Sequence, residues 1–205
     1  MRITKKYDER KRELLDISSK LFAEKGIDEI SVNDIIKKAN VAKGTFYHYF
    51  QSKQELIEQI MNEQINQFTE TISTILSNAE LNYSKRLKSV IIEVLNSESE
   101  FLLIDSINNP SDHTVHDDFI LKSVDSCVDK LSEFIKEGTD KGVFKVRHPK
   151  ELIYVAVLGV NSITRVLQTK EGKTRNEIIN DETINMLLEV IEEIFNMEPG
   201  SLMNA

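Results

Sequence analysis

The residues between positions 43 and 49 carry the side-chain chemistry that points most directly to a function. The side chains there that can donate a hydrogen bond are Lys43, Thr45, Tyr47, His48 and Tyr49. In a helix they project away from the side used by Phe46 and Phe50, which are four residues apart. Donors and a cation on one face of a short helix suit the base edges and phosphates of a DNA groove.

Two short predicted helices joined by a tight turn position these donors. The first is amphipathic because apolar residues recur at i, i+3, i+4 and i+7, namely Val32, Ile35, Ile36 and Ala39. Ser31 precedes it in a sequence that resembles a capping box, with Asp34 at the last position. Residues 40–42 predict the turn and residues 43–49 the second helix. The segment at about 31–50 therefore predicts a helix-turn-helix motif, whose second helix enters the major groove.

Further helices are predicted on both sides of this motif. Apolar residues from Leu14 to Phe22 recur at helical spacing, and Gly26 is suited to the left-handed position that ends a helix. Ser52 and Glu55 form a capping box that opens a long helix. Later helices are expected at about residues 84–107, 114–137, 149–170 and 178–197.

The composition predicts an all-α fold of about nine helices. The chain of 205 residues has only 7 Gly and 3 Pro, where average usage would give about 25. This scarcity disfavours barrels, sandwiches and Gly-rich nucleotide-binding folds, which need many tight turns. Cys127 is the single cysteine and excludes an internal disulfide. The longest apolar run, residues 152–160, is short of the roughly 20 residues of a membrane span, so a soluble cytoplasmic protein without membrane contact is expected.

The net charge of −8 is unevenly distributed along the chain. Residues 1–56 hold 12 Lys and Arg against 9 Asp and Glu, a balance of +3, whereas residues 57–205 hold 14 against 25, a balance of −11. An acidic body repels phosphates and leaves only the N-terminal segment able to approach DNA. Solvated faces of mixed sign explain the charge count equally well, so the asymmetry is suggestive rather than decisive.

Several stretches together strongly resemble the tetracycline-repressor (TetR/AcrR) family. They are LFAEKG at 21–26, SVNDIIKKA at 31–39, VAKGTFYHYF at 41–50 and SKQEL at 52–56. The resemblance covers about residues 8–60. It implies a DNA-binding domain at 1–56 and a helical ligand-binding and dimerisation domain at 57–205. The implied function is a transcriptional regulator, most simply a repressor that binds a palindromic operator in double-stranded DNA as a homodimer and is released by a small-molecule effector.

The resemblance also implies which residues of this chain contact DNA. Tyr47 and Lys53 match phosphate clamps, and Ser31 matches a phosphate-contacting position at the start of the second helix. Gly44 matches a position next to the DNA, and because it has no side chain the backbone there can approach the groove. The full predicted set is Ser31, Lys43, Gly44, Thr45, Tyr47, His48 and Lys53.

The body is expected to dimerise through its last two long helices. The segment at 152–160 is apolar all round, so it must be buried on two sides, and a second subunit is the simplest cover for the outer one. Relatives form a four-helix bundle across a two-fold axis from the corresponding helices. An ordinary monomer core is the alternative. The predicted interface residues are Val155, Gly159, Ile163, Leu187, Ile191 and Ile194.

The effector is expected to enter the body and shift the long helix that starts near Ser52. Such release requires that the effector prefer the state that does not bind DNA. The candidate pocket residues have core-like spacing, and ordinary core packing is the alternative for each one. They are Ile65, Phe68, Ile72, Val90, Val94, Phe101, Phe119 and Phe134.

Two other classes of function compete with a DNA-binding regulator. His113 and His116, with Asp112 nearby, have a spacing compatible with a divalent metal, but acids at a solvated helix start explain the cluster more simply, so no metal and no cofactor is predicted. An enzyme is disfavoured because no Glu lies three residues before any of the four histidines and no nucleotide-binding or nucleophile motif occurs. A dimeric sensor that acts as an activator or through protein partners is the remaining alternative.

Overall fold

The computed structural model describes residues 7–100 and 114–205, and every regular element in these two ranges is a helix. The all-α prediction is confirmed. Eight of the helices have seven residues or more, and α8 is a single turn. In chain order they are α1 (Tyr7–Lys25), α2 (Val32–Ala39), α3 (Lys43–Tyr49), α4 (Lys53–Ser77), α5 (Tyr83–Glu100), α6 (Thr114–Asp140), α7 (Pro149–Glu171), α8 (Arg175–Ile178) and α9 (Asp181–Ile194).

One predicted boundary is wrong, and another extends beyond the described residues. A single helix was expected over 178–197, but the chain forms α8 and then α9. The break occurs because the side chain of Asn180 accepts a hydrogen bond from the Thr183 N–H at 3.0 Å and so caps a new helix. Residues 101–107, expected to continue α5, lie outside the described part of the chain.

The described residues divide into two compact units. The head comprises residues 7–65, together with 114–119, and the body comprises residues 66–100 and 120–205. Helix α4 contributes residues to both units.

The head is built from α1, α2, α3 and the first half of α4 around a small apolar core. Gly26 has φ of +90° and its N–H bonds to the Phe22 carbonyl at 2.8 Å, which ends α1 in the predicted left-handed conformation. Asn40 has φ of +51° and turns the chain from α2 towards α3. The core side chains, all at most 3% exposed, are Leu14, Leu15, Phe22, Ile30, Ile35, Phe46, Phe50 and Leu56.

The body has its own core between α5, α6 and α9 and the segment that follows α9. Leu95, Ile135, Leu187 and Phe144 are at its centre and are at most 1% exposed. Gly138 permits the packing of Phe144, because a Cβ at that glycine would lie 2.3 Å from the Phe144 ring.

A buried carboxylate holds the segment after α9 against the body. The Glu192 side chain is 4% exposed and accepts hydrogen bonds from the N–H groups of Gly200 at 2.7 Å and Leu202 at 2.6 Å. Lys88 on α5 donates to the carbonyls of Met203 and Ala205 at 3.3 and 3.1 Å. These contacts fix a non-helical segment to two helices of the body.

Helix α7 is unusual because much of its apolar surface is exposed. Val155 is 63% exposed and Val166 is 49% exposed. By length and composition this helix could cross a membrane, but core helices of soluble proteins meet the same criterion. An exposed apolar face of this kind usually packs against another apolar surface, and the composition of the helix alone does not identify that surface.

Candidate nucleic-acid interface and body cavity

Helix α3 presents a continuous polar face to solvent. Lys43, Gly44, Tyr47 and His48 are exposed, and at 100° per residue they occupy one arc of the helix. Phe46, on the opposite arc, is fully buried, and its ring centroid lies 5.6 Å from that of the buried Phe50. The two phenylalanines thus anchor the helix to the head core and orient the polar face outwards.

The polar face combines a cation, an aromatic hydroxyl and an uncovered backbone. The Lys43 ammonium lies 5.9 Å from the centre of the Tyr47 ring, so the two side chains lie together. No atom lies within 4 Å of a Cβ built on Gly44, so another molecule can approach the backbone there. Thr45 is half-buried at the edge of this arc.

Tyr7, at the start of α1, belongs to this surface although the sequence did not suggest it. Its ring centroid lies 5.6 Å from that of His48, in an edge-to-face arrangement, and 4.8 Å from that of Tyr49. Such contacts restrict the orientation of the His48 imidazole. The only sequence signal was an aromatic residue at the beginning of the first predicted helix.

Ser31 is engaged in the cap of α2. Its side chain accepts a hydrogen bond from the Asp34 N–H at 3.3 Å, while the Asp34 carboxylate accepts from the Ser31 N–H at 2.9 Å and from the Ser31 hydroxyl. The predicted capping box is therefore present. The hydrogen bonds from Ser31, first from its side chain and then from its backbone, lower the pKa of Asp34.

Lys53, a predicted phosphate clamp, is half-buried and also has a structural contact. Its ammonium donates to the Ile27 carbonyl and lies 5.8 Å from the centre of the Phe22 ring. Lys43, in contrast, is an exposed cation. The two lysines therefore differ in what they contribute to the folded head.

The body contains an apolar cavity between α5, α6, α7 and α9. The empty space between these helices is about 620 Å³, a figure that includes space open to solvent. Two of the predicted pocket residues, Val90 and Val94, line it. The full lining is Leu87, Val90, Ile91, Val94, Leu95, Leu131, Ile135, Ile153, Ala156, Val157, Val160, Leu187, Ile191 and Phe195.

The other predicted pocket residues lie elsewhere or outside the described chain. Phe101 is outside it. The remaining five are buried core residues that do not line this cavity, namely Ile65, Phe68, Ile72, Phe119 and Phe134. Phe134 packs against Tyr83 with ring centroids 5.2 Å apart.

The six predicted dimer residues fall into two groups. Val155, Ile163 and Ile194 are 63%, 41% and 37% exposed, and a Cβ at Gly159 would meet no atom within 4 Å. Leu187 and Ile191 are 0% and 5% exposed and line the cavity. The division arises because α9 is apolar on both sides, and these two residues face into the body.

Metal and thiol chemistry find little support in the described residues. Residues 7–100 and 114–205 contain no group of three or more His, Cys, Asp or Glu side chains that could hold a metal ion. Asp112 and His113 lie outside these ranges, and the side chain of His116 is not described. Cys127 is 3% exposed, and burial raises the pKa of its thiol to about 11, which leaves it unreactive at neutral pH.

Comparison with known proteins places the head in a family. Residues 14–60 match the family described as "Bacterial regulatory proteins, tetR family". Over 52 residues the chain is 42% identical to the HTH-type transcriptional repressor KstR2 of Rhodococcus jostii, which is 25% of this chain and 26% of that protein. Over 62 residues it is 44% identical to the transcriptional regulator YvdT of Bacillus subtilis, which is 30% of each chain. These matched segments span less than a third of either relative.

Solved structures extend the likeness of fold beyond the head. A TetR-family transcriptional regulator from Mesorhizobium loti has a TM-score of 0.70 at 16% identity, with 93% of this chain and 98% of that chain covered. One from Pectobacterium atrosepticum has a TM-score of 0.68 at 20% identity, with 94% and 96% covered. Residues 14–60 therefore carry the motif of the tetR family of bacterial regulatory proteins, and the chain shares the fold of solved TetR/AcrR regulators.

Proposed function

We propose that the protein is a cytoplasmic, non-enzymatic repressor that binds a palindromic operator as a homodimer and is released by a small-molecule effector. The observation that carries this proposal is the polar face of α3, where Lys43, Gly44, Tyr47 and His48 are exposed together above a rigid aromatic anchor. In this assignment residues 1–56 bind DNA, and residues 57–205 bind the effector and the second subunit.

The exposed chemistry of α3 suits both parts of DNA recognition. Lys43 and the Tyr47 hydroxyl are suited to phosphates, which give affinity without sequence preference. His48 and Thr45 are suited to base edges, where donors and acceptors distinguish base pairs. Ser31 and Lys53 flank this surface as further phosphate contacts, each with its second role in the fold of the head.

The homodimer is supported by the uncovered apolar face of α7 and α9. Val155, Ile163 and Ile194 are exposed, and Gly159 leaves space for close helix approach. A two-fold pairing through these residues buries apolar side chains that otherwise face water. A dimer also presents two copies of α3, which matches an operator with two half-sites.

The cavity supports the effector part of the proposal. A concave site lined by apolar side chains in the body is a suitable place for a small molecule, and occupancy that favours one arrangement of the body helices would change DNA affinity. The residues closest to the effector are then those that line the cavity, including the predicted Val90 and Val94.

The proposal is tested by fluorescence anisotropy with labelled duplex DNA from upstream of the protein's own gene. We expect binding that weakens as salt rises, because cations on the head displace counterions from phosphates. Lys20→Ala, which removes an exposed cation from α1, is the matched control for Lys43→Ala. Absence of binding to any duplex at low salt would contradict the repressor assignment.

A further inference from the structure

We infer that the ligand of the body cavity is an uncharged, hydrocarbon-rich small molecule rather than an anion or a cation. The inference rests on the proposed function only where it calls this ligand an effector. The chemistry of the cavity itself is read from the residues around it.

The wall of the cavity consists entirely of apolar side chains from four helices. All fourteen lining residues are aliphatic except Phe195. An apolar ligand in this space removes hydrocarbon surface from water on both the ligand and the protein. A charged ligand would instead lose its hydration without gaining a partner from the wall, which costs several kcal/mol for an ion.

Two of the charged residues that adjoin lining residues, Glu192 and Lys88, are engaged elsewhere. Glu192 follows the lining residue Ile191, and its carboxylate accepts the N–H groups of Gly200 and Leu202. Lys88 follows the lining residue Leu87, and its ammonium donates to the carbonyls of Met203 and Ala205. Neither group is available to neutralise a charged ligand without releasing the segment after α9.

Helix α7 continues the same pattern beyond the cavity. Asn161 and Thr164 lie on the same face as Val157 and Val160, one turn further along, and are 9% and 0% exposed. Both are uncharged, and the Thr164 hydroxyl donates within its own helix. From residue 155 to residue 164, the inner face of α7 therefore offers hydrocarbon and neutral polar groups, and the next charged residue along the helix is Arg165.

Two fluorescent probes that differ by one charged group test this inference directly. N-phenyl-1-naphthylamine is neutral, and 8-anilino-1-naphthalenesulfonate is the same ring system with a sulfonate. Titration of each into the full chain without DNA, followed by fluorescence, is expected to give a dissociation constant at least tenfold lower for the neutral probe.

Variants locate the bound probe. Ala156→Leu and Val157→Phe add volume to the cavity wall and are expected to weaken binding of the neutral probe at least tenfold. Leu121→Phe adds an aromatic ring on α6 where the side chain is 41% exposed and is expected to leave binding unchanged. Circular dichroism confirms that each variant is folded, and the smaller Ala156→Leu change covers the case in which Val157→Phe does not fold.

Each outcome decides the inference separately from the proposed function. Equal binding of the sulfonate, lost in the two cavity variants, overturns the neutral ligand class. Binding of the neutral probe that the cavity variants do not affect also overturns it, because the probe would then lie on the outer face of α7. Cavity binding without any release of DNA supports the ligand class and contradicts the effector-controlled repressor.

Discussion

Helices α3 and α7 both leave one face uncovered, but the two faces have opposite chemistry. On α3 the exposed residues include Lys43, Tyr47 and His48, whereas on α7 they include Val155 and Val166. A cationic, donor-rich face is stable in water and gains from phosphates. An apolar face of similar exposure is stabilised only when something covers it. The proposed function assigns a different partner to each face: DNA to the polar face of α3, and a second subunit to the apolar face of α7.

The largest expected effect comes from placing a charge on the outer face of α7. Val155→Asp puts two like charges in the proposed dimer interface and is expected to raise the dimer dissociation constant by at least about a hundredfold, since an unpaired buried carboxylate costs several kcal/mol. Light scattering coupled to size-exclusion chromatography measures the change. Leu121→Asp, at an exposed apolar position on α6, is the control and should leave the molecular mass of the particle in solution equal to that of the wild type. If the wild-type chain is monomeric at micromolar concentration, the proposal that the apolar face of α7 pairs with a second subunit is contradicted.

The next largest effect concerns the buried carboxylate of the body, compared with an exposed carboxylate on the same helix. Glu192→Ala leaves the buried N–H of Leu202 and the N–H of Gly200 without their acceptor and is expected to lower the free energy of unfolding by about 2–4 kcal/mol. Urea denaturation followed by circular dichroism measures it. Glu193→Ala, one residue along and exposed, is the control and should change stability by less than about 0.5 kcal/mol. Similar losses for both variants would show that the carboxylate contacts are not stabilising.

A smaller effect distinguishes the two lysines of the head. Lys43→Ala is expected to weaken DNA binding for all sequences by about 1 kcal/mol and to reduce the salt dependence by about one phosphate contact, without loss of stability. Lys53→Ala should also destabilise the head, because its ammonium holds the Ile27 carbonyl. Anisotropy at several salt concentrations and thermal denaturation separate the two quantities. Equal thermal stability of the two variants would show that Lys53 does not stabilise the head.

The smallest effect concerns the cap that begins α2. Because the pKa of Asp34 is lowered in the folded chain, its contribution to stability is present above about pH 4 and is lost as the pH falls through the lowered folded value. An NMR titration of the Asp34 carboxyl carbon should give a pKa below the usual value of an aspartate side chain, and Ser31→Ala should raise it. An unchanged Asp34 pKa in Ser31→Ala would assign the shift to another cause.

The sequence was most informative where local rules decide the structure. The capping box at Ser31 and Asp34, the turn at Gly26 and the buried pair Phe46 and Phe50 all follow from spacing within a few residues, and the structure has them as predicted. The bounds of α3 follow from the same signals. The polar face of the head is therefore a consequence of local sequence signals.

Features that depend on distant parts of the chain could not be predicted in this way. The apolar stripe of α9 identifies Leu187, Ile191 and Ile194 as similar residues, but packing buries the first two and exposes the third. The cavity needs four helices that are far apart in sequence. The contacts of Tyr7 with His48 and of Lys53 with Ile27 likewise exist only in the folded head.

The carboxylate of Glu192 has a consequence for hydrogen exchange. The Leu202 amide lies outside the regular helices, yet it is held by a buried acceptor, and its side chain is fully buried. Such an amide exchanges with deuterium only when the surrounding structure opens. Leu202 should therefore exchange as slowly as amides in the core of the body, and its exchange rate would report how firmly α5 and α9 are held together.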